Sequence, residues 1–175
     1  MKGMIVYYSK YGSTRAYAEL LADKTGWTAR AIKTASKKEL MDADVLVLAS
    51  LIRIGKMPIR KWAKSHASAL KKKHLIILAT GGNPASEKDY YKQNILKNLG
   101  FLNLKPEQCF GLGGRKIRAE MKGMDAFMFN MLEKLPAGPE ERDDILRDVD
   151  HFDPAGLDRV LDYMKDQKLI QKGRE

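Results

Sequence analysis

The chain has a single cysteine, Cys109, among its 175 residues. One thiol excludes an internal disulfide, and such scarcity is typical of proteins from a reducing cytoplasm. No apolar run approaches the length that crosses a membrane, and the N-terminus shows no hydrophobic signal-peptide segment. The sequence therefore predicts a cytoplasmic protein.

The patterns of several common functional sites are also missing. There is no Walker A motif. The histidines are too scattered to predict a metal site: His66, His74 and His151. A response-regulator receiver needs clustered acids after its first strand and an aspartate after its third, but Ser9 and Ser50 occupy those places. These absences argue against nucleotide hydrolysis, metal chemistry and aspartate phosphorylation.

Positive charge is in clear excess, with a net charge of +10. Acids outnumber bases by seven to two between Pro139 and Asp153, so this stretch carries −5 and the remainder +15. A field of this size attracts anions, such as a phosphorylated cofactor, an acidic protein or anionic lipid. Alternatively, clusters such as the lysines at 71–73 are solvated surface that keeps the protein in solution.

Apolar strands alternate with helices along the whole chain, which we predict to be one domain spanning residues 1–175. Strands are predicted near residues 3–8, 27–32, 45–49, 75–79 and 108–112. Helices are predicted near 13–24, 37–41, 58–70, 87–99, 119–135 and 154–168. This alternation indicates an α/β fold, in which helices cover both faces of a parallel sheet. Ligands of such sheets bind at the carboxyl ends of the strands.

The loop after the first strand has the composition of a phosphate site. Ser9, Ser13 and Thr14 can each donate a hydrogen bond to a phosphate oxygen, and Gly12 allows a sharp turn. The following helix presents backbone N–H groups that have no partner within the helix. Ser13 could instead be an ordinary helix N-cap, but one cap does not need four polar residues and a glycine.

Three further loops follow the later strands. Residues 50–56 combine apolar side chains, which could pack on a flat aromatic ligand, with Gly55 and with the cations Arg53 and Lys56. Residues 80–84 and 113–116 are rich in glycine, so their backbones can approach a ring closely.

On these residues the chain resembles the flavodoxins, which bind flavin mononucleotide (FMN) in a three-layer sandwich with strand order 2-1-3-4-5. The first loop is similar to the flavodoxin phosphate signature, with Tyr11 in place of the usual threonine. Within that family, the chain looks most like the branch that contains menaquinone-dependent protoporphyrinogen oxidase. Residues 50–55 and the turn at 113–115 carry this second resemblance.

The resemblance implies a set of FMN-binding residues but no catalytic acid, base or metal. The phosphate would be held by the first loop: Ser9, Lys10, Tyr11, Gly12, Ser13 and Thr14. The isoalloxazine ring would lie between the second and third loops: Ser50, Leu51, Ile52, Arg53, Ile54 and Gly55, with Thr80, Gly81, Gly82 and Asn83. Arg115 would lie nearby, and the cations at this site would raise the two-electron potential of the flavin.

The sequence departs from many flavodoxins because its second and third loops contain no aromatic residue to cover the flavin. Tyr90 and Tyr91 lie too far into the next helix to serve. An open flavin favours an oxidoreductase that acts on a flat apolar substrate such as a porphyrinogen or a quinone. The alternatives are an NAD(P)H-dependent quinone reductase, a one-electron shuttle that docks with redox partner proteins, and a binding module without flavin. We expect no nucleic-acid partner, whereas the basic face could contact the inner face of a membrane.

Two other patterns have open interpretations. Apolar residues recur at helical spacing in the predicted helix 119–135: Met121, Met124, Phe127, Met128, Met131, Leu132 and Leu135. They indicate either an ordinary buried helix face or an adaptable surface for a porphyrin, a quinone or a membrane. Cys109 and Arg115 have the spacing of a tyrosine-phosphatase loop, although Cys109 is predicted to begin a strand rather than to follow one.

Overall fold

The structure, a computed structural model, describes residues 1–121, 123, 126–127, 130–131 and 147–170. A five-stranded parallel sheet forms its centre, in the order β2-β1-β3-β4-β5. The strands are Gly3–Tyr8 (β1), Thr28–Ala31 (β2), Val45–Leu51 (β3), His74–Gly81 (β4) and Cys109–Gly113 (β5). The predicted fold class and strand order are therefore confirmed.

Helices pack on both faces of the sheet. They are Ser13–Thr25 (α1), Lys37–Asp42 (α2), Ile59–Ser65 (α3), Ala67–Leu70 (α4), Lys88–Leu99 (α5) and Asp158–Asp166 (α6). One core joins the sheet to α2, α3, α4 and α5, and the other joins it to α1 and α6. The central strands are apolar on both faces because each face is buried in one of these cores.

The prediction of one continuous helix over residues 58–70 was wrong, because the structure divides this segment at His66 into α3 and α4. His66 Nδ1 lies 2.8 Å from the carbonyl oxygen of Trp62, with which the His66 N–H would bond in a regular helix. The His66 backbone N–H donates to the Ala63 carbonyl oxygen instead. A side chain that competes for a helical carbonyl thus ends the first helix.

The predicted helix 119–135 does not begin at residue 119. Arg118–Glu120 is a short 3-10 turn, and Met121 has extended backbone angles. Before this turn, Arg115–Lys116 (β6) pairs with Val149–Asp150 (β7) in an antiparallel ribbon. We refer to β6 and β7 as the ribbon. Several members of the predicted methionine stripe lie outside the described residues: Met124, Met128, Leu132 and Leu135. Four residues of the acidic stretch lie outside them as well: Glu140, Glu141, Asp143 and Asp144.

Candidate functional site

The first loop turns at Gly12, the N-cap of α1. Its φ of +93° favours glycine, and no side chain among the described residues caps the helix. Ser13 is the first helical residue, so the alternative that Ser13 is an ordinary N-cap was wrong. The opening N–H groups of a 13-residue helix thus point towards the end of β1 without a side-chain cap. This arrangement suits an anion.

The hydroxyl groups of the first loop have different environments. Ser9 Oγ is buried and, within the described residues, has no hydrogen-bond partner. Ser13 Oγ accepts the N–H of Arg115 at 3.0 Å, which leaves its own proton available to donate. Thr14 Oγ1 lies 2.7 Å from Thr80 Oγ1. The other two residues of the loop, Lys10 and Tyr11, contact each other, with the Lys10 ammonium 5.4 Å from the centre of the Tyr11 ring.

A tight turn forms the tip of the second loop. Arg53 and Lys56 exchange two backbone hydrogen bonds, and the residues between them, Ile54 and Gly55, have φ of +49° and +65°. Positive φ is costly for a β-branched residue, so Ile54 is strained. Its side chain is also 69% exposed. Ser50 differs from the rest of the loop because it is fully buried within β3.

Asn98 of α5 anchors this second loop. Its Nδ2 donates to the Gly55 carbonyl oxygen at 2.9 Å, and its Oδ1 accepts the N–H of Met57 at 3.1 Å. The side chain is buried, so losing either bond would leave a buried polar group unpaired. The sequence analysis did not identify Asn98, since an asparagine within a helix carries no signal of a loop 41 residues away.

The third loop is held against the core by an aromatic side chain. The Tyr91 hydroxyl donates to the Asn83 carbonyl oxygen at 2.5 Å, and the Tyr91 ring is completely buried below Gly81. The Asn83 side chain is directed to Glu87, at 2.7 Å. Tyr91 therefore supports the third loop from within the core rather than covering a ligand.

The fourth loop joins the third through the backbone, because the N–H of Gly114 donates to the Gly81 carbonyl oxygen at 2.7 Å. Arg115 then forms ion pairs with Glu120 and with Asp150 of the ribbon, at 3.3 and 3.1 Å. Both carboxylates balance its charge, so Arg115 adds less positive potential to the site than an unpaired guanidinium would.

The four loops enclose a cavity of about 190 Å³ at the carboxyl edge of the sheet. Its walls include these predicted residues: Tyr11, Ser13, Thr14, Leu51, Ile52, Arg53, Ile54, Thr80, Gly81, Gly82 and Arg115. Gly114, Lys116 and Met121, which were not in the predicted set, line it too. The remaining predicted residues are not part of the cavity wall: Ser9, Lys10, Gly12, Ser50, Gly55 and Asn83.

Other possible sites find no support in the described part of the chain. No cluster of histidine, cysteine and carboxylate side chains there could hold a metal ion. None of the helices in that part is both long and apolar enough to cross a membrane. Cys109 begins β5, as predicted, and burial raises the pKa of its thiol to about 11. A phosphatase nucleophile needs a depressed pKa and a position after a strand, so both the raised pKa and the place of Cys109 at the start of β5 argue against a phosphatase loop.

The stripe of the predicted helix 119–135 is exposed at two of the positions that the structure describes. Phe127 is 61% exposed and Met131 is 53% exposed. Met121, in contrast, lies in the wall of the cavity. These three positions favour the adaptable surface over the buried helix face.

Comparison with known proteins supports the same fold. A family model described as flavodoxin domain matches residues 4–143. No curated protein is significantly similar in sequence. Among solved structures, the flavodoxin WrbA-like protein from Agrobacterium tumefaciens is 19% identical over 71% of this chain and 87% of its own, with a TM-score of 0.51.

Two further solved structures are similar at lower TM-scores. A putative flavoprotein from Bacteroides eggerthii is 18% identical over 78% of this chain and 99% of its own, with a TM-score of 0.48. A flavodoxin variant from Fusobacterium nucleatum, solved with flavin mononucleotide bound, is 14% identical over 55% of this chain and 64% of its own, with a TM-score of 0.35.

Proposed function

Since the chain belongs to the flavodoxin domain family, we propose that it binds FMN without a covalent bond in the cavity between the four loops. FMN is the cofactor of this family, and the residues present fit it. The buried Ser9 hydroxyl has no hydrogen-bond partner among the described residues, and a phosphate oxygen would supply one. The uncapped start of α1 adds backbone N–H donors for the same anion.

Separate parts of the cavity would hold the two ends of the cofactor. Ser9, Ser13 and Thr14 with the N-terminus of α1 would bind the phosphate. Leu51, Ile52 and Ile54 offer an apolar wall for the ring, and the backbone of Gly81 and Gly82 lines the same cavity. When bound, FMN supplies the redox chemistry, and the protein contributes position, exclusion of water and electrostatics.

We further propose an oxidoreductase that transfers electrons between this flavin and a flat apolar substrate, a quinone or a porphyrinogen. One observation carries this choice: the second and third loops bring aliphatic side chains, glycine, Arg53 and Thr80 to the cavity wall, and no aromatic ring. A flavin in this site would stay open to a flat molecule. The resemblance to the protoporphyrinogen oxidase branch supports the same substrate class.

A one-electron shuttle between redox partner proteins is the second candidate. The strained, exposed Ile54 at the mouth of the cavity favours it, because an apolar tip beside the cofactor suits docking. An NAD(P)H-dependent quinone reductase is the third. In each case the proposal keeps the protein in the cytoplasm, with the basic side chains as the contact to an acidic partner or to the inner face of a membrane.

Stopped-flow oxidation of the reduced FMN-loaded protein tests the proposal. Under anaerobic conditions, menadione should reoxidise the bound flavin faster than it reoxidises free reduced FMN at the same concentration. Ferricytochrome c in place of menadione tests the shuttle, and NADPH with the oxidised protein tests the reductase. A menadione rate no greater than that of free FMN would contradict the oxidoreductase proposal.

A further inference from the structure

A tyrosine that is not part of the cavity wall connects α1, the helix after the first loop, to the chain around the fourth loop. Tyr17 lies in the second turn of α1 and is 1% exposed. Its hydroxyl donates to the Gly113 carbonyl oxygen at 2.8 Å and accepts the N–H of Asp153 at 2.9 Å. Burial raises the pKa of Tyr17, so this hydroxyl keeps its proton and remains a donor at neutral pH. One oxygen atom thus joins α1 to the end of β5 and to the segment that follows β7.

A second bond joins the same two parts of the molecule. Ser13, one helical turn before Tyr17, accepts the N–H of Arg115. Residues four positions apart lie on one face of a helix, so this face of α1 holds the chain on both sides of Gly114. Gly114, Arg115 and Lys116 are the part of the cavity wall that the fourth loop contributes.

The segment after β7 has little freedom to adjust if these bonds are lost. The Phe152 ring packs on Tyr17 with their centres 4.5 Å apart. His151 donates its N–H to the Gly114 carbonyl oxygen. A Cβ atom on Gly113 would lie only 2.0 Å from the His151 carbonyl oxygen, so the two backbones are in direct contact.

From this geometry we propose that Tyr17 is a positioning residue of the flavin site: its hydroxyl fixes the wall formed by Gly114, Arg115 and Lys116 relative to the phosphate loop. The proposal rests on the proposed function for its ligand. Without the hydroxyl, the Gly113 carbonyl oxygen loses a buried hydrogen bond and the Asp153 N–H loses a part-buried one, so the two groups separate to reach water. The wall then moves while the phosphate loop keeps its own geometry.

Tyr17→Phe tests the proposal, because it removes one oxygen atom and keeps the ring packing. Tyr163→Phe is a matched control. Tyr163 belongs to the same core as Tyr17, and its hydroxyl lies 3.2 Å from Nε2 of His74. His74 is the first residue of β4, whereas the cavity lies at the carboxyl ends of the strands. Ser13→Ala removes the second bond between α1 and the wall. It serves as the alternative variant should Tyr17→Phe not fold, with amide exchange and riboflavin affinity as its readouts because Ser13 is also placed at the phosphate.

Two measurements are made on each protein. The first is amide hydrogen exchange at Arg115 and Lys116 without flavin, which should be about ten-fold faster in Tyr17→Phe than in the parent and unchanged in Tyr163→Phe. The second is the dissociation constant for FMN and for riboflavin. Both should rise about ten-fold in Tyr17→Phe, since the displaced wall is not the part that binds phosphate.

The outcomes separate the positioning role from the proposed function. Unchanged exchange at Arg115 and Lys116 overturns the positioning role whether or not flavin binds. Faster exchange with unchanged affinity for FMN shows a structural bond only, and it overturns the proposal as well. A parent protein that binds neither flavin refutes the proposed function, and the exchange rates still decide whether Tyr17 fixes the wall.

Discussion

The hydroxyl groups of Thr14 and Thr80 lie 2.7 Å apart in a buried hydrogen bond that joins the phosphate loop to the third loop. Both side chains are 2% exposed, so water cannot replace either partner. The Thr80 carbonyl oxygen, in turn, accepts the N–H of Ile52 at 2.7 Å. Three of the four loops are therefore connected through one residue at the end of β4.

Replacing one threonine of this pair should lower the free energy of unfolding by more than half of the loss that replacing both causes. We expect Thr80→Val to lower the free energy of unfolding by about 1–2 kcal/mol, because it leaves the Thr14 hydroxyl buried without a protein partner. Thr14→Val should have a similar effect. The double variant should lose less than the sum, with a coupling of at least about 0.5 kcal/mol in urea unfolding. Strictly additive losses would mean that the two hydroxyls do not interact.

Much of this architecture could be predicted from the sequence. The strands β1 and β3 were predictable because their apolar runs end at polar loops, and α1 because a glycine and hydroxyl residues precede it. The contact between Thr14 and Thr80 could not be predicted, since it joins residues 66 positions apart. Tyr17 is a similar case: its pattern indicates burial, but the sequence does not identify a partner 96 residues away.

The ribbon and the second loop show other limits of the sequence. β6 and β7 are two-residue strands that lie far apart in the sequence, and neither has a strand pattern of its own. Their pairing could therefore not be predicted. A β-branched residue such as Ile54 rarely has a positive φ, so from the sequence only Gly55 was expected to adopt one. The cavity itself was predictable in outline because parallel strands bring their carboxyl ends to one edge of the sheet.

Relieving the strain at Ile54 should stabilise the protein and weaken its site. Asparagine tolerates the left-handed region, so Ile54→Asn should raise the free energy of unfolding by about 1 kcal/mol. It should also weaken FMN binding, because it removes an apolar group from the cavity wall. Urea unfolding and an FMN titration measure the two effects.

Ile54→Val is the matched control for this variant. Valine keeps the branched Cβ and the apolar character, so both stability and FMN affinity should stay close to those of the parent. Stabilisation by valine equal to that by asparagine would argue that strain at this position is not the cause.

The thiol of Cys109 should be nearly inert at neutral pH. Burial raises its pKa from 9.0 to about 11, so iodoacetamide should react slowly with the folded protein at pH 8 and faster as the pH approaches 11. The unfolded chain ionises first as the pH rises above 9, so ionisation of this thiol lowers the free energy of unfolding progressively between pH 9 and 11 and has no effect on it below pH 9. Mass spectrometry of the alkylated protein, with a urea-unfolded sample as the control, measures the rates. Rapid labelling of the folded protein at pH 7 would contradict a buried, protonated thiol.

The central claim is that the first loop binds the phosphate of FMN, and a flavin titration with Ser9→Ala tests it most directly. Ser68→Ala, an exposed serine of α4, is the control. The parent and the control should bind FMN, whereas Ser9→Ala should bind it about ten-fold or more weakly, as expected for a lost hydrogen bond to a charged group. Riboflavin has no phosphate, so its affinity should be the same for all three proteins. No binding of FMN by the parent, or an equal loss of affinity for FMN and riboflavin in Ser9→Ala, would contradict the account.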